Sequence, residues 1–331
     1  MRILLLLLTC YATYISQAQQ QWVEYKSAKQ TSNNKNIVFI SGDEEYRSEE
    51  ALPMLAQILA KKHGFNCTVL FSINPADGTI DATNLSNIPG LEKLDSADLM
   101  VIFTRFRELP DAQMEHIDKY LKSGKPVIGM RTATHAFNYK KDPTSKFSHY
   151  DFQSKSEGWQ NGFGKKVLGE TWVSHHGDHG KEGTRALKEG TNENHAILNG
   201  VKDIWCATDV YTIEKLHAGA EVLLYGQPTK GMTPSSPPNL RKSIMPVAWT
   251  TTYELQPGKK GRVFTSTMGA SIDLLNEDLR RLFVNACYWS VGLENAIPKK
   301  ADVGFVTPYR PTMFGFDLFK KGTYPSKYVM K

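Results

Sequence analysis

The chain has 331 residues, a net charge of +6 and 40% hydrophobic residues. This length is sufficient for the self-supporting core of one large α/β domain. The positive charge is mild and no basic stripe is interleaved with aromatic residues, which argues against nucleic acid as a partner. No Walker loop, G-x-G-x-x-G, G-x-S-x-G or paired C-x-x-C motif occurs, so the sequence gives little support to nucleotide binding or a serine triad.

Residues 1–18 have the features of a secretory signal peptide. Arg2 supplies a positive start, an apolar run follows, and Ser16-Gln17-Ala18 forms a small-x-small cleavage site. The apolar run is shorter than the ~20 residues of a membrane-spanning helix, which argues against an anchor, and lipidation at Cys10 is a minor alternative. We therefore predict export to the periplasm or out of the cell, with a flexible lead-in over residues 19–35.

Short apolar runs alternate with helical patterns in the first half of the chain. Strands are predicted at residues 36–41, 67–71, 99–103 and 126–130. Two helices are predicted between them, one ending at Gly64 and one running from Pro110 to Gly124. This alternation predicts an α/β fold with a mostly parallel sheet and helices on both faces, and such sheets bind ligands at the carboxyl ends of their strands.

The second half of the chain is less regular. Strands are predicted at residues 172–176, 209–214, 222–225, 247–253 and 262–267, and their close spacing suggests an antiparallel extension of the sheet. Asn276 caps a strong helix that ends at Gly292. We predict a domain over residues 36–292. Residues 293–331 are predicted to wrap it as a tail, because the phenylalanines of this segment would be costly in water.

Three cysteines follow the predicted signal peptide, at Cys67, Cys206 and Cys287. An odd count without close spacing does not indicate a disulfide framework. Buried free thiols are the main interpretation, although the oxidising compartment leaves a pair open.

Basic side chains follow two of the predicted strands. Arg131 and Thr132 come directly after the fourth strand, with His135 one helical turn later on the same side. Arginine cannot act as a nucleophile, but its fork holds carboxylate, phosphate or sugar oxygens. We predict that Arg131 and Thr132 bind substrate and that His135 is catalytic. The alternative is an internal ion pair for Arg131, with His135 packed under the turn.

Two further strand ends contribute candidate substrate-binding residues. Arg105 and Arg107 follow the third strand, and one of them is predicted to face the site and the other solvent, with Arg105 as the substrate-binding candidate. Glu44 follows the first strand and is predicted to bind sugar hydroxyls or to act as a general base, with a helix-start charge as the alternative. Trp159 is predicted to stack on a sugar ring, with a core position as the alternative.

The segment from Trp172 to Gly180 holds the densest cluster of candidate ligands. His175, Asp178 and His179 are residue types that bind zinc and similar divalent ions, so we predict a divalent metal ion held by them as one interpretation. Catalytic or sugar-contacting roles of His175 and His179 without metal are an equal alternative. A solvated glycine-rich loop is the third.

The order and spacing of these segments resemble the ThuA-like family, which is named for trehalose utilisation. The resemblance rests on residues 38–47, 97–106, 124–137, 172–185, 195–200 and 261–270. The sequence departs from the family pattern at two places. Gly129-Met130-Arg131 stands where many members have G-L-H, and Met268-Gly269-Ala270 where many have L-G-H. Two histidines of the usual site are therefore absent.

The resemblance implies a flavodoxin-like fold similar to the class I glutamine amidotransferases, with Arg131 where those enzymes hold their catalytic cysteine. It also implies a small-molecule sugar or glycoside as partner. We predict an exported enzyme that acts on a glycoside or keto sugar by elimination, isomerisation or hydrolysis, and not a glutamine amidotransferase. The alternative is a non-catalytic sugar-binding protein. The sequence leaves a homo-oligomer open.

Overall fold

The computed structural model describes residues 20–28, 33–188 and 190–330. The predicted signal peptide over residues 1–18 lies outside these ranges. Within the predicted flexible lead-in, Trp22–Tyr25 form the first strand of the sheet and pair antiparallel with Asn66–Phe71. Val23 and Tyr25 alternate into the core, and the burial of these two side chains explains why the segment is a strand.

The strands of the described chain form one ten-stranded sheet. They are β1 (Trp22–Tyr25), β2 (Asn36–Gly42), β3 (Asn66–Phe71), β4 (Leu99–Thr104), β5 (Val127–Met130), β6 (Thr184–Leu187), β7 (Trp205–Cys206), β8 (Glu221–Pro228), β9 (Met245–Gln256) and β10 (Lys259–Ser266). Their spatial order is β1-β3-β2-β4-β5-β10-β9-β8-β6-β7. Strands β4 and β5 are buried along their whole length, as the continuous apolar runs of parallel strands require.

The sheet is mixed, and the prediction of a mostly parallel sheet needs correction. Four of the nine pairings are parallel, namely those that join β3, β2, β4, β5 and β10. The other five are antiparallel. Antiparallel strands can be joined by a tight hairpin, whereas parallel strands need a long crossover. The turn between β9 and β10 shows this, because Gly258 adopts a positive φ of 77° in a two-residue connection.

Three α-helices of the described residues cover both faces of the sheet. Helices α1 (Ser48–His63) and α3 (Glu277–Ser290) pack on one face, and α2 (Asp111–Lys122) packs on the other. Helix α1 ends at Gly64, whose φ of 75° only glycine adopts at low cost. Helix α3 begins after Asn276, whose side chain accepts a backbone N–H of the first turn.

The predicted strands at residues 172–176 and 209–214 have little regular structure. A single bridge joins His175 to Tyr211 between these segments. Cys67, Cys206 and Cys287 are buried and free, as predicted, and burial raises the pKa of each thiol. No helix within the described ranges is long and apolar enough to cross a membrane.

The C-terminal tail makes contacts at several distant places on the domain. The Tyr25 hydroxyl donates to the Tyr328 carbonyl at 2.7 Å, and the Ile80 amide donates to the Thr323 carbonyl at 2.7 Å. The amide of Gly315 donates to the carbonyl of Glu45, in the loop after β2, at 2.8 Å. The tail therefore reaches both the β1 edge of the sheet and the carboxyl ends of its central strands.

Candidate active site

A narrow cleft that encloses about 30 Å³ of free space lies at the carboxyl ends of β2, β4 and β5. The chain order reverses between the neighbouring strands β2 and β4, so the segments that follow them diverge and leave a crevice. The lining includes Glu45, Arg105, Arg131, Thr132, His135 and His175. Five of these six residues are predicted site residues, and the cleft is therefore where the sequence locates the ligand site.

The loop after β2, residues 43–47, is held in shape by the buried carboxylate of Asp43. Asp43 accepts the backbone amide of Glu45 at 2.7 Å and the hydroxyl of Thr132. Thr132 lines the cleft, but its hydroxyl proton is committed to Asp43. For the substrate binding predicted for Thr132, the side chain therefore offers only its methyl group and the remaining lone pairs of its hydroxyl oxygen.

Arg131 occupies the turn after β5 in a left-handed conformation, with a φ of 45°. Its buried guanidinium donates to the carboxylate of Asp209 at 2.9 Å, and to the carbonyls of Asp209 and Thr267 at 2.8 and 2.7 Å. It also donates to the Tyr46 hydroxyl at 3.1 Å. The internal ion pair is therefore present, and Nε is the one guanidinium nitrogen without a partner in the described chain.

Asp209 is the centre of this network, although no local sequence pattern predicts it. Its Oδ2 accepts the Nδ1 hydrogen of His175 at 2.8 Å, and its Oδ1 lies 3.3 Å from Nδ1 of His179. Burial acts to raise the pKa of the carboxyl, but the hydrogen bonds of both histidines and the charge of Arg131 hold it below its ordinary value. Asp209 is therefore ionised at neutral pH.

His179 bridges two carboxylates. Its Nε2 lies 3.1 Å from Oε1 of Glu45, opposite the contact with Asp209. The hydrogen bonds to Asp209 and Glu45 raise the pKa of His179 to about 9. Burial acts to raise the pKa of Glu45, but His179 and Arg105 hold it below its ordinary value. A charged His179 between two ionised carboxylates follows at neutral pH.

His175 is the most accessible member of the network, with 47% of its side chain exposed. Because Nδ1 donates its hydrogen to Asp209, the neutral ring keeps the lone pair on Nε2. The ring lines the cleft, next to Trp172 at a centroid distance of 5.9 Å. A histidine oriented by a buried carboxylate and open to a cleft is the usual arrangement of a general base.

The predicted metal ligands need one correction. His175, His179 and Asp209 place one donor atom each within 4.8 Å of one another. Asp178 is exposed and binds Lys242 at 2.8 Å instead. Two imidazoles and one carboxylate suit zinc and similar ions, so this set fits a divalent cation by its chemistry. The nearby Arg131 guanidinium opposes a second positive charge at Asp209.

Glu44 and Arg105 form an ion pair at the cleft wall. Glu44 binds both Arg105 and the fully buried Arg107, so its two carboxylate oxygens are committed to protein partners. Glu45, one residue later, contacts His179, which Glu44 does not. Nε of Arg105 lies 3.6 Å from Oε2 of Glu45, and the Arg105 side chain lines the cleft.

His135 is buried in an aromatic cage beside the cleft. Its ring centroid lies 5.0 Å from that of Phe106 and 5.4 Å from that of Trp172. Burial and the charges of two arginines hold the pKa of His135 well below its ordinary value, so the ring is neutral.

Trp159 lies away from the cleft, with its ring centroid 4.6 Å from that of Tyr150. Trp159 is half-buried and packs against the core, and Trp172 is the tryptophan that lines the cleft.

Comparison with known proteins relates the chain to one family. The family model described as ThuA, trehalose utilisation, matches residues 36–290, a range that contains every cleft residue named above. A ThuA-like protein from Parabacteroides merdae ATCC 43184 is 13% identical, with a TM-score of 0.48, 90% of this chain and 99% of that chain covered. A ThuA-like protein from Bacteroides uniformis ATCC 8492 is 14% identical, with a TM-score of 0.49, 83% of this chain and 98% of that chain covered. No curated protein matches the chain.

Proposed function

Because this chain belongs to the ThuA family of trehalose utilisation, and is by that membership a carbohydrate-utilisation protein, we propose that it is an exported enzyme acting on a glycoside or keto sugar. The observation that supports catalysis most directly is the His175–Asp209 pair at the cleft. Export rests on the signal-peptide features of residues 1–18. The strand order β3-β2-β4-β5-β10 supports a flavodoxin-like core, since it is the order 2-1-3-4-5 of that fold.

The reaction we propose begins with proton abstraction by His175. A keto group on the sugar ring acidifies the neighbouring C–H bond, and Nε2 of His175 accepts that proton. The C–H electron pair then forms the carbon–carbon double bond of an enolate, whose negative charge lies on the former keto oxygen. Asp209 stabilises the imidazolium that results, as a buried carboxylate does for a general base.

The enolate has two outcomes within this proposal. In an elimination its electron pair expels the glycosidic oxygen from the next carbon, and the departing oxygen takes up the proton held by the His175 imidazolium. In an isomerisation the enolate oxygen takes up that proton and gives an enediol, from which the keto group forms on the neighbouring carbon. Arg105 brings positive charge to the cleft wall, where it stabilises the enolate oxygen. The neutral ring of His135 is suited to hydrogen bonding with sugar hydroxyls, because its lowered pKa keeps it from competing for the proton.

A thiol mechanism has no support in the described residues. Arg131 occupies the turn after β5 where the amidotransferase resemblance would place a cysteine, and Cys67, Cys206 and Cys287 are buried.

A divalent ion bound by His175, His179 and Asp209 would polarise a sugar oxygen as a Lewis acid.

The test compares His175→Gln with His176→Gln on 3-keto-glucosides, with products identified by mass spectrometry. His176 is the matched control, because its Nε2 is bound to the Ser243 carbonyl at 2.7 Å and it does not line the cleft. We expect His175→Gln to lower kcat by about 10²- to 10⁴-fold. His176→Gln should stay within about twofold.

Three other results would each change the proposal. An equal loss in both variants would remove His175 from the reaction. A product carrying an added water, without unsaturation, would replace elimination by hydrolysis. Saturable binding of the glycoside by the wild type without any product would make the protein a sugar-binding protein.

A further inference from the structure

The C-terminal tail contributes a wall to the candidate site. We refer to residues 312–318 as the strap. The amide of Thr312 donates to Glu50 at 2.7 Å, which fixes the start of the strap on helix α1. The amide of Gly315 donates to the Glu45 carbonyl at 2.8 Å, and Arg47 donates to the Gly315 carbonyl. The strap therefore lies directly on the loop after β2 that supplies Glu45 to the cleft.

Phe314 is the inward-facing ring of the strap. Its centroid lies 5.5 Å from that of Tyr46 and 5.5 Å from that of His179, and the side chain is buried. Phe314 thus covers the histidine that bridges the two carboxylates. Exclusion of water on this side strengthens the ion pairs of the cluster.

Phe316 is the outward-facing ring of the strap. It lies against the guanidinium of Arg105, 5.1 Å from ring centroid to Cζ, and it remains 53% exposed. Phe106 packs against the same guanidinium at 4.4 Å. Arg105 and Phe106 both line the cleft. Phe316 therefore stands at the rim of the cleft, on an arginine held between two aromatic rings.

Three large apolar side chains of the strap are exposed to solvent. Phe316, Leu318 at 56% and Met313 at 43% are large apolar side chains left in water within seven residues. Grouped exposed apolar side chains beside a cleft mark a binding surface. The strap also lies beyond residues 36–290, so it is a wall that the family match does not include.

We propose that Phe316 is a specificity-determining residue that binds the apolar or aromatic leaving group of a glycoside at the rim of the cleft. This inference rests on the proposed function. The cleft encloses only about 30 Å³ of free space, room for roughly two water molecules, so a sugar ring beside His175 lies at the mouth of the cleft and the rest of a glycoside extends over the rim. An aromatic ring fixed by an arginine on one side offers that group a stacking surface.

The experiment measures kcat/KM and Kd for phenyl and methyl 3-keto-glucosides with the full chain. We expect Phe316→Ala to weaken binding of the phenyl glycoside by roughly fivefold and to leave the methyl glycoside unchanged, since ring stacking acts only on the first. Phe316→Trp should retain the phenyl preference. Phe305→Ala is the matched control, because Phe305 also lies on an arginine, Arg280, at 4.0 Å and is 38% exposed, but Arg280 does not line the cleft whereas Arg105 does.

The results separate this inference from the proposed function. Equal effects of Phe316→Ala on both glycosides, or no effect on either, would overturn the inference while turnover by the wild type upholds the enzyme. Phenyl-selective binding that depends on Phe316 without any product would uphold the rim subsite and overturn the enzyme. A wild type that neither binds nor converts either glycoside would overturn both.

Discussion

Two buried arginines lie in left-handed turns, Arg47 after β2 and Arg131 after β5, and they differ in how their carboxylate partners are hydrogen-bonded. Arg131 has a φ of 45° and donates to Asp209 at 2.9 Å. Arg47 has a φ of 60° and lies 3.8 Å from Glu49. Asp209 accepts hydrogen bonds from both histidines as well, whereas neither oxygen of Glu49 accepts a hydrogen bond from the described residues.

The charge states of the two carboxyls follow from this difference. The pKa of Asp209 is held below its ordinary value in spite of burial, whereas burial raises the pKa of Glu49 to about 7 against the attraction of Arg47. Both sites have a guanidinium, so proximity of a positive charge does not decide the outcome. Direct hydrogen bonds to the carboxylate decide it, because they replace the water that burial removes.

The largest effect on stability is expected for Asp209→Asn. The substitution keeps the shape of the side chain but leaves the Arg131 charge buried without a counter-ion. Removal of one partner from a buried pair costs about 3–5 kcal/mol. Urea denaturation at pH 7 should show this loss in the free energy of unfolding. A loss below about 1 kcal/mol would mean that the Arg131–Asp209 pair does not organise this region.

Glu49→Gln should act in the opposite direction at alkaline pH. The pKa of Glu49 is raised from 4.5 to about 7 in the folded state, so its contribution to stability is present below pH 4.5 and is lost as the pH rises through 7. At pH 8 the buried wild-type carboxylate is ionised and poorly paired. The glutamine variant should therefore be more stable at pH 8 by up to about 3 kcal/mol.

Urea denaturation at pH 5 and pH 8 measures this difference. Glu92→Gln is the matched control, because Glu92 is exposed and the substitution should leave the pH dependence unchanged. Parallel pH profiles for the wild type and Glu49→Gln would show that Glu49 is already hydrogen-bonded in solution, and the contrast with Asp209 would no longer hold.

The half of the site that comes from parallel strands could be predicted from the sequence. The apolar runs of β2, β4 and β5 are local signals, and the residues after them meet by the geometry of a parallel sheet. Arg105, Arg131 and His135 were identified in this way, and all three line the cleft. The sequence does not distinguish Glu44 from Glu45, which is the one that lines the cleft, because loop residues do not follow the strict alternation of a strand.

The other half depends on contacts between distant parts of the chain. Asp209 lies 34 residues from His175 and 78 residues from Arg131 along the chain. One isolated β-bridge, between His175 and Tyr211, joins the segments that hold His175 and Asp209. Local spacing favoured Asp178, which is next to His179 in sequence but is bound to Lys242. The phenylalanines of the tail predict that it wraps the domain, but not that Phe314 and Phe316 lie at the site, since only tertiary packing brings them there.

The smallest effect is expected from added zinc, and it tests what the Arg131–Asp209 pair permits. A divalent ion requires His175 and His179 to be deprotonated at their ligating nitrogens, and the pKa of His179 is about 9. It also has to share Asp209 with a guanidinium. We therefore expect 0.1 mM Zn²⁺ to stabilise the wild type by less than about 1 kcal/mol at pH 7, with a larger gain at pH 8.5. His175→Gln should remove the gain and Asp178→Asn should retain it, because Asp209 and not Asp178 lies with the histidines. Stoichiometric metal in the purified wild type at pH 7, found by elemental analysis, would contradict this expectation and would mean that Asp209 binds a cation more strongly than it binds His179.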